Sequence, residues 1–153
     1  MSKLIEMGRI AAGLFAVAGI AALATAGAAA DSMKLDLVEH ATTDAVVDLG
    51  ATGDSAGDLL TFANEIFDAA NTTKLGSDSG YCIRIVVGTS WECFWTLTLE
   101  KGQITVEGPF LDKGDSVLAV TGGTGAYAKS RGEVMLHARD DKGTEYDFKY
   151  DLR

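Results

Sequence analysis

Apolar and polar residues alternate with a period of two along most of this chain, and residues 145–152 show it most plainly. There Tyr146, Phe148, Tyr150 and Leu152 interleave with Glu145, Asp147, Lys149 and Asp151. One face is apolar and the other charged, as a half-buried antiparallel strand requires. Residues 134–139 precede it across Asp140-Asp141-Lys142-Gly143, a hairpin loop with its glycine late in the turn. Residues 93–99 and 104–109 flank Lys101-Gly102 in the same manner. Segments 35–38, 45–49, Leu59–Asp68, 81–87 and 117–121 supply the remaining strands, with 71–79 and 111–114 as loops. In Leu59–Asp68 the residues Leu60, Phe62, Asn64 and Ile66 alternate with one polar intruder, and an amphipathic helix is the competing assignment there. No 3.6-residue pattern persists for long. About eight or nine strands joined by short turns predict an all-β domain. An open sheet of that size leaves two unpaired edges, whereas an eight-stranded antiparallel β-barrel leaves none and can hold one small ligand. A two-sheet sandwich is the alternative that strand count leaves open.

The first thirty residues differ. Lys3 and Arg9 stand against Glu6, an unbroken apolar stretch follows from Ile10 to Ala26, and Ala28-Ala29-Ala30 precedes Asp31. A basic head, an apolar middle and small residues at the cut form a secretory signal, removed near Ala30-Asp31. The expected organisation is therefore a signal helix over 1–30 and a barrel domain over 31–153, secreted to an extracellular or periplasmic space. An uncleaved anchor and translation from Met33 are the competing readings, although the apolar run is short and Ala-rich for a span of ~20 residues.

The chain has 153 residues and a formal charge of −9, with 13 Lys+Arg against 22 Asp+Glu. The part after residue 30 keeps 11 basic and 21 acidic residues. Such a surface repels phosphate backbones, so nucleic acid is not an expected partner. Eighteen glycines and a single proline suit a chain of many turns. His40 and His137 lack a ligand cluster around them, so neither a metal nor a cofactor is expected. Ser116 and Ser130 have no base nearby in sequence, which argues against a hydrolase, and Asp112, Asp115, Asp140 and Asp141 read as solvated turn carboxylates. Cys82 and Cys93 lie on consecutive strands joined near Gly88-Thr89-Ser90, where a hairpin brings them side by side. Export favours a disulfide between them, and a cytosolic location would leave free thiols.

Four segments in order carry a resemblance: Gly57-Asp58-Leu59-Leu60-Thr61-Phe62-Ala63-Asn64, Gly80-Tyr81-Cys82, Val106-Glu107-Gly108-Pro109-Phe110-Leu111, and Leu118-Ala119-Val120-Thr121-Gly122-Gly123-Thr124-Gly125. In order and spacing they resemble the allene oxide cyclase family. Gly122-Gly123-Thr124-Gly125-Ala126-Tyr127 with Arg131-Gly132 is similar to the signature of the related dirigent proteins. The likeness runs from about Gly57 to Leu152. It implies an eight-stranded barrel, often trimeric, that handles apolar small molecules in its lumen; the plant cyclase closes a fatty-acid epoxide, and dirigent proteins steer phenoxy-radical coupling. The glycine-rich stretch lacks the Lys-Ser/Thr ending of a phosphate loop and reads as a loop whose glycines permit positive φ.

Carried over by motif, Asn64 falls on the family's cavity asparagine and Cys82 on its cavity cysteine, while Trp91 takes an aromatic position. Phe110 stands where the plant enzyme has Tyr, so a hydroxyl is lost. Glu39 is the candidate for the family's first-strand glutamate, with Asp36 the alternative, and the cavity proline and serine of the following loop have no counterpart. The resemblance thus implies Asn64 as polar positioner and Glu39 as electrostatic stabiliser, with Phe62, Trp91 and Phe110 as shaping walls. Alternation adds that if Cys82 faces the lumen, Arg84 and Val86 do too. A buried arginine needs a partner, so Arg84 either anchors an acidic ligand head or reaches solvent at a strand end. Two functions follow: a secreted cyclase or isomerase acting on an apolar lipid, polyene or polyketide-like molecule, or a noncatalytic binding or scaffold barrel.

Overall fold

A computed structural model describes residues 32–153. The signal helix expected over residues 1–30, and the boundary after it, lie outside those residues. Nine strands follow one another: β1 (Met33–His40), β2 (Ala45–Val47), β3 (Leu59–Asp68), β4 (Lys74–Val86), β5 (Ser90–Leu99), β6 (Gly102–Leu111), β7 (Ser116–Gly123), β8 (Gly132–Ala138) and β9 (Glu145–Leu152). From β3 to β9 each strand pairs antiparallel with the next, β9 pairs with β1, and β1 returns to β3 through Leu37↔Asp68 to His40↔Glu65. The result is a closed eight-stranded antiparallel barrel. β2 is an addition to that count, pairing with Leu59–Thr61 on the same edge of β3 that β1 has left.

Closure follows from the alternation. β9 buries Phe148, Tyr150 and Leu152; β8 buries Val134 and Leu136; β7 buries Leu118 and Val120; β6 buries Ile104 and Val106. β5 turns Trp91, Cys93, Trp95 and Leu97 inward, and Trp95 Nε1 donates to Tyr150 Oη at 3.3 Å across the interior. Leu59–Asp68 is a strand with Asn64 and Ile66 buried, and not a helix.

Two departures from the sequence reading have physical causes. The loop expected over 71–79 is shorter, because β4 begins at Lys74. Its first half, Gly76-Ser77-Asp78-Ser79-Gly80, carries no apolar alternation, yet the two glycines let β5 come close. A Cβ at Gly80 would run into the Phe94 carbonyl and lie 2.6 Å from Trp95 Cβ. The other concerns Val86. A register shift between Arg84 and Val86 breaks the alternation, and Val86 is exposed instead of facing the lumen. In the glycine-rich segment, Gly125 has φ 58° and starts a single 3-10 turn (Gly125–Tyr127). Gly123, by contrast, ends β7 and is needed for close approach, since a Cβ there would collide with the Tyr127 and Gln103 carbonyls. That turn buries Tyr127 against one end of the barrel.

Candidate functional site

Toward the end of the barrel where β1, β4, β6 and β8 finish, the core gives way to an apolar recess of about 60 Å³. Its walls come from alternating inward positions: Leu60 and Phe62 of β3, Cys82 and Cys93 of the β4–β5 pair, Trp95, Phe110, Leu136, and Tyr146 with Phe148 of β9. Its charged lining is Glu39, near the end of β1, and Asp44, in the link to β2. Phe110 meets Tyr146 edge-on with ring centroids 5.9 Å apart, so the rim is aromatic.

Asn64 holds this polar side together. It is 1% exposed, and its side chain is fully occupied. Nδ2 donates to Glu39 Oε1 at 2.9 Å and to Asp44 Oδ1 at 2.8 Å. Oδ1 accepts from the Thr42 and Thr43 amides at 3.1 and 3.0 Å and from Thr43 Oγ1 at 2.9 Å. Asn64 therefore aims Glu39 and clamps the β1–β2 link, and neither of its N–H groups is left for a guest.

Behind Glu39 lies Asp78, which sequence reasoning missed. It sits directly across from Asn64 in the β3–β4 register, is 1% exposed, and neither of its oxygens has a hydrogen-bond partner among the described residues. Burial, and then the charge of Asp78, push the Glu39 carboxyl well above the usual carboxylate range, against the opposing pull of the Asn64 N–H. Burial likewise raises Asp78 to about 7, and a proton carried by Glu39, the donor that the Asp78 oxygens otherwise lack, opposes that rise. Burial first, with Glu39 and Asp44 adding to it, lifts the Tyr146 phenol to about 12. Counting back from Cys82 in steps of two reaches Asp78; the signal was present, but its polar setting made it read as a loop.

Cys82 and Cys93 are direct cross-strand partners, and their sulfurs are bonded at 1.96 Å with 4.0 Å between Cα atoms. The pair lines the recess as a disulfide, so no thiol faces it. Closing an 11-residue separation restricts the unfolded chain by about 3 kcal/mol. Reduction, or the double change Cys82→Ser/Cys93→Ser, is expected to lower the melting temperature by roughly 10 °C. A thermal melt with and without reductant checks this, and an unchanged midpoint after complete alkylation of both thiols would refute it.

Arg84 and Trp91 lie apart from the recess. They line a wider hollow of about 420 Å³ with Val46, Asp48, Gly53, Asp54 and Asp58. Arg84 Nε donates to Asp54 Oδ1 at 2.7 Å and Nη1 to Asp112 Oδ1 at 2.6 Å, while the guanidinium stacks 4.0 Å above the Trp91 ring. Asp58 accepts from the Leu49 and Ser55 amides, which hold its carboxyl below the usual range. The structure thus brings Glu39, Phe62, Cys82 and Phe110 together around one recess with Asn64 behind them, and places Arg84 and Trp91 elsewhere. Asp36 is exposed on the other face of β1. No group of three or more His, Cys, Asp or Glu among the described residues is placed to hold a metal ion.

The sequence model of one protein family, allene oxide cyclase, matches residues 37–139. Among solved structures, a pyocyanin demethylase is 26% identical, with a TM-score of 0.68 over 79% of this chain and 100% of that one. An exo-specific intermolecular Diels-Alderase (14% identity, TM-score 0.65) is matched over 80% of this chain and 98% of its own. A pterocarpan synthase dirigent protein (14%, 0.66) is matched over 80% and 94%. At 14% identity the last two show a shared fold.

Proposed function

This chain belongs to the allene oxide cyclase family, and on that premise we propose that its barrel admits an apolar small molecule to the recess and promotes its cyclisation or isomerisation there. The observation that supports this reading is an aromatic-walled recess whose polar side is two carboxyls, Glu39 and Asp44, both held by a fully bonded Asn64. Phe62, Phe110 and Tyr146 would hold a flexible guest in a reactive shape, lowering the entropic barrier. Glu39, kept protonated by burial, would give a hydrogen bond to a guest oxygen as negative charge develops. A guest larger than a few waters requires those half-buried rings to turn, since ligand pockets commonly reach ~300 Å³ or more.

The second reading is a secreted, noncatalytic dirigent-like binding or scaffold barrel. The small recess and the disulfide across its wall favour it. Under either reading, export by the N-terminal segment agrees with disulfide chemistry. The outer face of β2 and β4, where Val47, Tyr81, Ile83 and Ile85 are exposed, would serve as the contact in a homo-oligomer, a trimer by family likeness.

Native mass spectrometry of the purified protein would identify a co-purifying molecule, to be incubated with wild type and with Glu39→Gln. The cyclase reading expects wild type to convert it on the order of 100-fold faster than the variant. Binding with no chemical change by either protein would establish the scaffold reading instead.

A further inference from the structure

Three carboxyls, Glu39, Asp44 and Asp78, meet at one side of the recess, and no Lys, Arg or His lines it. The groups facing the pair Glu39 and Asp78 are Asp44 from the β1–β2 link, Asn64 from β3, and Tyr146 and Tyr150 from β9, with Trp95 of β5 bonded to Tyr150. None is cationic. The two N–H groups of Asn64 go to Glu39 and Asp44, so Asp78 receives neither. Two bare carboxylates buried side by side without donor or counter-charge are too costly to persist. A proton held between them supplies the donor that Asp78 lacks. Glu39 lines the recess while Asp78 lies behind it, so a proton given up or taken by a guest passes through Glu39.

We propose that Glu39 and Asp78 act as one proton-sharing pair, with Glu39 the catalytic carboxyl and Asp78 its positioning partner, and that the recess accordingly takes uncharged carbonyl or imine compounds and rejects carboxylates. This rests on the recess reading above and adds its substrate class. With one proton the pair carries a single negative charge. The Glu39 proton passes to Asp78, and the Glu39 carboxylate so formed removes a proton from the carbon next to the guest's C=O; the C–H electron pair forms the new C=C bond, and the C=O π pair moves to oxygen. The pair, now neutral, returns a proton to that oxygen or, for a double-bond shift, to a remote carbon. Proton count and charge are restored without oxidant, reductant or co-reactant, and the buried site never holds two negative charges from this pair.

The test uses the full chain with cyclohexanone and cyclohexanecarboxylate as probes. Wild type at pH 7 should show an infrared carboxylic-acid band that shifts on ¹³C labelling of Asp and Glu, a measurement that needs no variant to fold. Carbon-detected titration should find the Glu39 midpoint lowered by at least about one unit in Asp78→Asn, which removes the facing charge, whereas a carboxyl perturbed by burial alone would not move. Saturation-transfer NMR should detect cyclohexanone and not the carboxylate. Exchange of the ketone's α-protons for solvent deuterium should be at least about tenfold faster with wild type than with Glu39→Gln or Asp78→Asn. An absent band or an unmoved Glu39 midpoint in Asp78→Asn overturns the pair while leaving the recess reading intact. Equal binding of the carboxylate overturns the substrate class, and α-exchange no faster with wild type overturns the proton transfer. Binding of neither probe removes the recess reading and this assignment with it.

Discussion

Asn64→Leu is expected to lower the melting temperature by about 12–20 °C, the largest loss of any single change in the recess wall. The leucine is close in volume, so the cost is polar. Five hydrogen bonds disappear, two of them to carboxyls, and the Thr42 and Thr43 amides and Glu39 are left without their partner. Leaving such groups unsatisfied costs about 1–3 kcal/mol each where water cannot replace the bond. Partial rescue of the Thr42–Asp44 link by solvent brings the sum to about 3–5 kcal/mol. For a barrel of this size each kcal/mol moves the midpoint by about 4 °C. Circular-dichroism melts of wild type and variant measure it, and a drop below about 3 °C would mean that Asn64 does not hold the wall. Asn64→Asp separates the two halves of the side chain: it keeps the acceptor for the Thr amides and loses the donors to Glu39 and Asp44. Its deficit should therefore grow as pH rises and the facing carboxyls ionise.

The second large effect is a stability that declines toward neutral pH. Glu39 and Asp78 hold their protons more tightly folded than unfolded, both chiefly because burial disfavours the charged form. Between the unfolded carboxylate range near pH 4 and about pH 7, the native state therefore binds more protons than the unfolded chain, and stability falls with rising pH. The contribution is complete below that window and is lost as pH climbs through it. Raising Asp78 alone from 3.8 to about 7 corresponds to about 4 kcal/mol. Glu65, beside Lys74, and Asp68 and Asp140, which accept local hydrogen bonds, are held below their usual values and act with the opposite sign, losing stability as pH falls through the acid range. Denaturant unfolding from pH 3 to 8 should thus pass through a maximum on the acidic side and then decline by several kcal/mol. Asp78→Asn, which offers Glu39 an amide donor, should flatten the decline. A wild-type curve that is level or rising from pH 4.5 to 7.5 would refute the buried carboxyl pair.

The strands with one apolar face were legible because burial writes a period of two into the sequence, as in Tyr146, Phe148, Tyr150 and Leu152. Barrel closure followed from strand number and the need to remove edges. Asp78 was not legible: glycine and serine flank it, the β-rich signal is absent, and its inward direction is set by the Cys82 register several residues away. Arg84 could be read as needing a counter-charge, but its two partners come from Asp54 and Asp112, in turns that alternation does not place. Asn64 was readable as a polar position on an apolar face. That its amide is spent on the chain itself depends on the Ala41–Asp44 link folding back over β3, a tertiary fact with no local pattern.

Under the proposed function, Arg84 bears on the route to the recess. It straps the β2–β3 excursion and the β6–β7 turn to β4 through two ion pairs and rests on Trp91, the second residue of β5. At that rim the β8–β9 turn, residues 139–144, is not part of the strap, and the strands it joins line the recess with Leu136 and Tyr146. A doorway on that side needs one hairpin to swing while the rest of the collar stays fixed. If the proposed function holds, the length and stiffness of six residues would set the size of molecule that can enter, independently of the residues lining the recess.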